Sequence, residues 1–357
     1  MNLDILGWTP ADAQAFAALT EADLVPGRLV LEHNHVYRVL TESGELLAEA
    51  AGRMKHEAEG RQALPVVGDW VALRPNPGGR AMIRTVLPRR SRFSRKAAGR
   101  ETEEQVLAAN IDAVFLVFGL DNPVNARAIE RYVVVARQSG TTPVVVLNKV
   151  DLVEDVGAAV AAAETAASDT EVVGVSTITG FGFAALEAHL TPGRTVALLG
   201  PSGAGKSSIV NRLIGEDLLA TGAVRDWDAR GRHTSVHRHL VVRAAGGMVI
   251  DTPGMRELQL WGPDVVADSF ADIADLAGGC RFRDCRHDRE PGCAVKAAVA
   301  DGTFDEGRYQ SYVKLRTEEA ALERKRDERA LAEAKRATKI QHRALRTFQK
   351  DRDRGER

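Results

Sequence analysis

The chain has 357 residues, of which 44% are hydrophobic and 27% charged, a composition that excludes a fibrous or disordered protein and suggests two or three globular domains. No apolar run approaches the roughly 18 residues that a membrane-spanning helix needs, since the strongest, "AVFLVFGL" at 113 to 120, has only the length of a buried strand. The net charge of -1 excludes nothing by itself, and the absence of Lys and Arg from the first 27 residues removes the basic start of a secretory signal, so a cytoplasmic location is expected.

Residues 1–27 read as an N-terminal extension with one short acidic helix, opened by Thr9 and Pro10 and stopped by Pro26 and Gly27. Over residues 28–100 the pattern changes to short runs between turn residues: "RLVLEH", "VYRVL", "LLAEAA", "DWVALR" and "AMIRTVL". Five such runs predict a small antiparallel barrel, with the five-stranded OB-fold the leading candidate. From Arg74 to Arg100 nine residues are Lys or Arg and none is Asp or Glu. With Phe93 its one aromatic, this block predicts contacts to a phosphate backbone rather than stacking on bases. A solvated surface is the plainer reading of the same run.

Residues 101–260 alternate strand and helix, with strands near 113–118, 143–147, 171–175, 195–199 and 247–250 and helices at 125–138, 154–167, 181–190 and 205–214. That order predicts a doubly wound parallel α/β sheet, whose ligands sit outside the carboxyl ends of its strands. Residues 261–357 hold all three cysteines, and the stretch from Arg308 to Arg357 carries sixteen basic against nine acidic residues with few large apolar ones. A helix polar nearly all round is a projecting arm, or a segment that a partner orders.

Three loops carry chemistry. "GPSGAGKSS" runs through Gly200, Pro201, Ser202, Gly203, Ala204, Gly205, Lys206, Ser207 and Ser208, after an apolar strand and before a helix. Its backbone N–H groups are expected to wrap phosphates at a helix N-terminus, with Lys206 on the outer phosphates and the Ser207 hydroxyl on Mg2+. "DTPG" at 251 to 254 places Asp251 to hold Mg2+ through water and the Gly254 amide to sense the terminal phosphate. "NKVD" comprises Asn148, Lys149, Val150 and Asp151 at a strand end. There the Asp151 carboxylate can accept from the ring N–H and the exocyclic amino group of guanine, Lys149 can lay its stem over the base, and Asn148 can brace neighbouring loops. Ser176 and Thr177 follow the next strand, where a backbone N–H would meet the guanine carbonyl. Each loop alone also reads as an ordinary turn or helix entry.

The base-reading loop precedes the phosphate loop, the reverse of the usual GTPase order. A site built from strand ends depends on strand positions and not on connection order, so the pattern predicts a circularly permuted GTPase domain. The spacing Cys280-x4-Cys285-x-His287-x5-Cys293 supplies three thiolates and an imidazole, a closed four-coordinate set suited to one structural zinc. Disulfides compete poorly, because the count is odd and the expected compartment reducing. Scattered buried cysteines are the other reading. The remaining histidines, His237 and His239 among them, are expected at the surface.

Taken together, the barrel, "NKVD" and "STITG" ahead of "GPSGAGKSS", then "GRHTS", "DTPGMRE" and the cysteine spacing resemble the RsgA (YjeQ) family of small ribosomal subunit biogenesis GTPases over nearly the whole chain. The resemblance implies GTP hydrolysis with Mg2+, stimulation by the small ribosomal subunit, action late in that subunit's maturation, and contacts of barrel and zinc domain with ribosomal RNA; a monomer is expected. Where the family usually has two threonines after the histidine this chain has Thr234 and Ser235; either hydroxyl could ligate Mg2+ in the GTP state, and Thr234 is the favoured one. Met255 stands where many GTPases carry a water-positioning Gln, so His233 is expected to position the attacking water. The rival readings are a GTP-dependent RNA-binding checkpoint protein with negligible turnover, and an RNA-modifying or ATP-using enzyme, for which the sequence offers no further nucleophile or base.

Overall fold

The structure is a computed structural model that describes residues 2–52, 54, 61–96, 104–121, 125–201, 203–215, 239–251, 270–288, 290–317, 320 and 324. Its N-terminal helix α1 (Pro10–Ala17) begins as the sequence suggests: Thr9 and Asp12 form a reciprocal capping box and Pro10 occupies the first turn. It ends at Ala17, however, and Pro26 and Gly27 lie inside a strand opposite Ala72 and Val71. The proline reads as a helix stop from sequence, yet the first positions of a strand also tolerate a residue without an N–H.

Strands β1 (Val25–His33), β2 (Val36–Thr41), β3 (Gly44–Ala50), β4 (Trp70–Arg74) and β5 (Ala81–Val86) form the expected barrel. All pairs are antiparallel except β3 with β5, and β1 closes the circle by pairing with both β2 and β4. Trp70, Leu29, Val39, Leu73 and Ile83 fill the interior, each fully buried. A hairpin of β6 (Arg92–Lys96) and β7 (Glu104–Ala109) follows.

The second domain orders its strands β10 (Glu171–Val175), β9 (Thr142–Asn148), β8 (Ala113–Gly119), β11 (Thr195–Leu199), β13 (Met248–Asp251) and β12 (His239–Val242). All neighbours are parallel except β12 with β13. Because the strands are buried on both faces, alternate residues serve opposite layers. Val114, Leu116 and Phe118 join the core with helices α2 (Ala126–Gln138) and α3 (Val156–Ala167). Ala113, Phe115 and Val117 join the core with α4 (Phe183–Glu187) and α5 (Lys206–Ile214). The sheet is therefore doubly wound, as expected.

Strand β12 was not foreseen, since four residues are too few to show a period. It carries His239, which is half-buried rather than on the surface; burial, with a smaller contribution from Arg38, pushes its imidazole down to about 4. His239 also faces Leu31 of β1, so one sheet runs from the second domain into the barrel. His237 lies outside the described residues.

Arg28 joins the two domains. Its side chain is fully buried and donates to Leu6 O, Asn110 O and Thr195 Oγ1 at 3.3, 2.9 and 3.3 Å. It also sits 5.3 Å from the Trp70 ring centroid, and burial pulls its guanidinium down to about 10. Replacing it by Ala leaves a cavity and unpaired carbonyls. We expect Arg28→Ala to cost about 3 kcal/mol of stability, read as a lower denaturant midpoint for the full chain.

Candidate functional site

Parallel strands in register bring their carboxyl ends to one edge. Gly119, Asn148 and Val175 are direct partners across β8, β9 and β10. Leu199, the residue before the phosphate loop, pairs with Leu116 of β8, and β13 ends at Asp251 beside β11. Strand ends as far apart in sequence as Gly119 and Asp251 thus lie along one edge.

The phosphate loop has the backbone its glycines permit. Gly200 and Gly205 have φ of 144° and 92°, a region that other residues enter at a cost. A Cβ on Gly200 would lie 2.1 Å from the Val117 carbonyl oxygen, and one on Gly205 2.1 Å from Asn148 Nδ2. Gly205 caps α5, whose first residue is Lys206. Lys206 Nζ donates to the carbonyls of Gly200 and Pro201 at 2.8 and 2.7 Å, which holds the ammonium across the mouth of the loop. Ser207 and Ser208 follow in the first turn of α5, Gly203 and Ala204 precede it, and the helix dipole with its first-turn N–H groups makes this end favourable for phosphate oxygens.

The base-reading loop is locked to the phosphate loop. Asn148 is buried, and its Nδ2 donates to Ala204 O at 2.9 Å across 56 residues of sequence. Its Oδ1 is buried with no protein partner. Lys149 has φ of 67°, and a 3-10 turn, Val150–Leu152, then presents Asp151 on the surface while Val150 is buried. Ser176 Oγ accepts from the N–H groups of Ile178 and Thr179 at 3.2 and 3.1 Å, closing the turn that carries Thr177. Arg212 of α5 donates to Thr177 O at 3.0 Å. The loop order is thus inverted in the chain, while the loops themselves converge on one edge.

Two participants escaped the sequence reading. Asp121, just beyond β8, pairs with Lys149 at 2.7 Å, and Arg212 ties the phosphate-loop helix to the turn at 176–180. The signal that could have found Asp121 is positional, because every strand end of a doubly wound sheet borders the ligand space. Ser202, His233, Thr234, Ser235, Gly254 and Met255 lie outside the described residues, and Asp251 is described by its backbone alone.

At the C-terminal end Cys280, Cys285, His287 and Cys293 bring one ligand atom each to within 4.8 Å of one another. Cys280 Sγ is 3.5 Å from His287 Nδ1 and 3.9 Å from Cys293 Sγ, and His287 Nδ1 is 3.4 Å from Cys293 Sγ. Ligands about 2.1–2.3 Å from a tetrahedral ion stand roughly 3.5–3.8 Å apart, so the set fits one metal ion. Its surroundings are firm. Cys293 caps α7 (Ala294–Ala300) and accepts from Lys296 N, and Tyr309 Oη donates to His287 O at 2.5 Å. Arg308 clamps the following helical stretch, 306–317, to Asp272 of α6 (Ala271–Ala277), Glu130 of α2 and Ser168.

The basic block proves to be partly internal. Arg74 and Arg84 pair with Glu21, Arg80 with Glu49, Arg89 with buried Asp69 and Arg90 with Asp12. Acidic residues remote in sequence, two of them from the N-terminal extension, meet these arginines in space. Phe93 is fully buried, so it offers no stacking surface. The basic tail beyond 317 lies outside the described residues apart from positions 320 and 324, and among the described residues no helix is long and apolar enough to cross a membrane.

Known proteins share this arrangement. The RsgA GTPase family model matches residues 86–261. A small ribosomal subunit biogenesis GTPase RsgA from Opitutus terrae is 49% identical over 338 residues, 92% of this chain and 92% of its own. One from Xylella fastidiosa is 46% identical over 325 residues, 88% of this chain and 93% of its own. Of solved structures, YjeQ from Thermotoga maritima superposes with a TM-score of 0.63 at 29% identity, covering 83% of this chain and 99% of that one. YloQ, described as a circularly permuted GTPase, gives 0.59 at 25% identity, covering 85% and 97%.

Proposed function

We propose, since this chain belongs to the RsgA GTPase family, that it binds the small ribosomal subunit, is stimulated by it, and acts late in that subunit's maturation by hydrolysing GTP to GDP and phosphate. The observation that carries the reading is the Asn148 Nδ2 to Ala204 O bond. It fixes the base-reading loop against the phosphate loop, so a single guanine nucleotide spans both.

The roles follow from the positions. Asp151 accepts from the guanine edge, Thr177 marks the turn whose backbone meets the guanine carbonyl, and Gly200 to Ser208 wrap the phosphates. Lys206 exchanges its carbonyl partners for the outer phosphate oxygens, neutralising charge that grows in the transition state. Mg2+ would be held by Ser207 and, through water, by Asp251, with Thr234 joining in the GTP state, and it would supply charge neutralisation between the β and γ phosphates. His233 positions the attacking water and Gly254 senses the terminal phosphate. Three thiolates and one imidazole make the C-terminal ion zinc, in a structural and not a catalytic role, because no coordination position is left open. The protein works in the cytoplasm as a monomer, with ribosomal RNA met by barrel, metal domain and basic tail.

Single-turnover GTP hydrolysis titrated with small subunits at two salt concentrations tests this. Turnover should rise with added subunits, the rise should weaken as salt screens phosphate contacts, and His233→Ala should lose it. Equal turnover with and without subunits favours the checkpoint alternative, in which bound GTP and not its hydrolysis carries the signal.

A further inference from the structure

Asp121 belongs to the base end of the site although no nucleotide-binding motif contains it. Its Oδ2 lies 2.7 Å from Lys149 Nζ, and the Lys149 hydrogen bond holds its carboxyl below the usual range. The surrounding backbone is fixed: Leu120 N donates to Asn148 O at 2.9 Å, and Gly119 is the sheet partner of Asn148. Any Cβ at Gly119 would lie 2.5 Å from Asp121 Oδ1, 3.3 Å from Lys149 Nζ and 3.4 Å from Ala204 Cα. The carboxylate, the ammonium and the phosphate loop therefore meet over a residue with no side chain. Lys149 is itself left-handed at φ 67°, a conformation that a lysine keeps only where its surroundings impose it.

The pair is half-exposed, with 41% of the Asp121 side chain and 26% of the Lys149 side chain open to solvent, so it adds little to stability. Its consequence is for the lysine's freedom. An untethered lysine samples many rotamers and loses them when its stem packs on a ligand.

We propose that Asp121 is a positioning residue for the guanine nucleotide: it tethers the Lys149 ammonium so that the methylene stem is already placed for the face of the base. This rests on the guanine reading above. The face contact is blind to the exocyclic amino group of guanine, which Asp151 reads from the edge. Asp121 therefore governs how tightly a purine is held, and Asp151 governs which purine.

The test is fluorescence titration of full-length wild type, Asp121→Asn, Lys149→Met and the double variant with GDP, inosine diphosphate and ADP. Asp121→Asn should weaken GDP and inosine diphosphate by the same factor, about 3- to 10-fold, and leave their ratio as in wild type. In the Lys149→Met background it should add no further loss, and its melting temperature without nucleotide should match wild type. An unchanged Kd, a loss of equal size on top of Lys149→Met, or an altered ratio of the two purines overturns the proposal. Wild type that holds ADP as tightly as GDP removes the guanine reading itself, and the tether with it, before any variant is measured.

Discussion

Asp151→Asn is expected to exchange guanine for xanthine selectivity, weakening GDP by about 100-fold or more and raising affinity for xanthosine diphosphate in the same assay. In the proposed guanine site the carboxylate accepts from two N–H groups on the guanine edge. An amide keeps one acceptor and turns a donor toward the exocyclic amino group, so one favourable contact becomes a clash of donors and buried polar groups lose their partners. Xanthine carries a carbonyl at that position and accepts from the new amide. The structure supports a clean exchange. Asp151 stands exposed on a short 3-10 turn whose buried residue is Val150, so the substitution alters the edge without disturbing the core. A variant that weakens guanine and xanthine nucleotides equally would show that 151 does not face the base, and the guanine site would have to be sought elsewhere.

Removal of the C-terminal metal should have the other large effect. Chelation at neutral pH, or Cys293→Ser, is expected to release one zinc per chain and abolish slow hydrogen exchange across residues 280–300, while the sheet of the second domain keeps its protection and GDP binding survives. The reason lies in the size of the elements. Helices α6 and α7 have seven residues each, well short of the roughly 12–15 at which isolated helices become even marginal. Binding of a structural zinc in small metal domains is worth about 10–16 kcal/mol, more than such short helices could recover by packing. The second domain has one core wholly its own, around Phe115, Val117 and Ile209, and its other core, though continuous with Phe270, Ile273, Val295 and Leu315 of the metal region, is filled largely from its own strands and helices and from the barrel. Retained protection over 280–300 in the metal-free protein would mean that the four side chains are packing residues and not ligands.

What the residues alone determined is the local chemistry. The glycine-rich loop Gly200 to Ser208, the tetrapeptide Asn148 to Asp151 and the Cys280, Cys285, His287 and Cys293 set are each written within a short stretch, where covalent spacing dictates which groups can converge. The barrel strands were legible for the same reason, because alternation is a property of neighbours. The contacts that only the tertiary structure decided join positions far apart. The alignment of Gly119, Asn148 and Val175 at one edge depends on sheet register. The neutralisation of Arg74, Arg84 and Arg90 by Glu21 and Asp12 depends on the N-terminal extension folding back against the barrel, and the tether from Asp121 to Lys149 on two strand ends meeting. Charge and reactivity belong to a residue, but partnership belongs to the path of the chain in space, and a linear pattern carries almost none of that information.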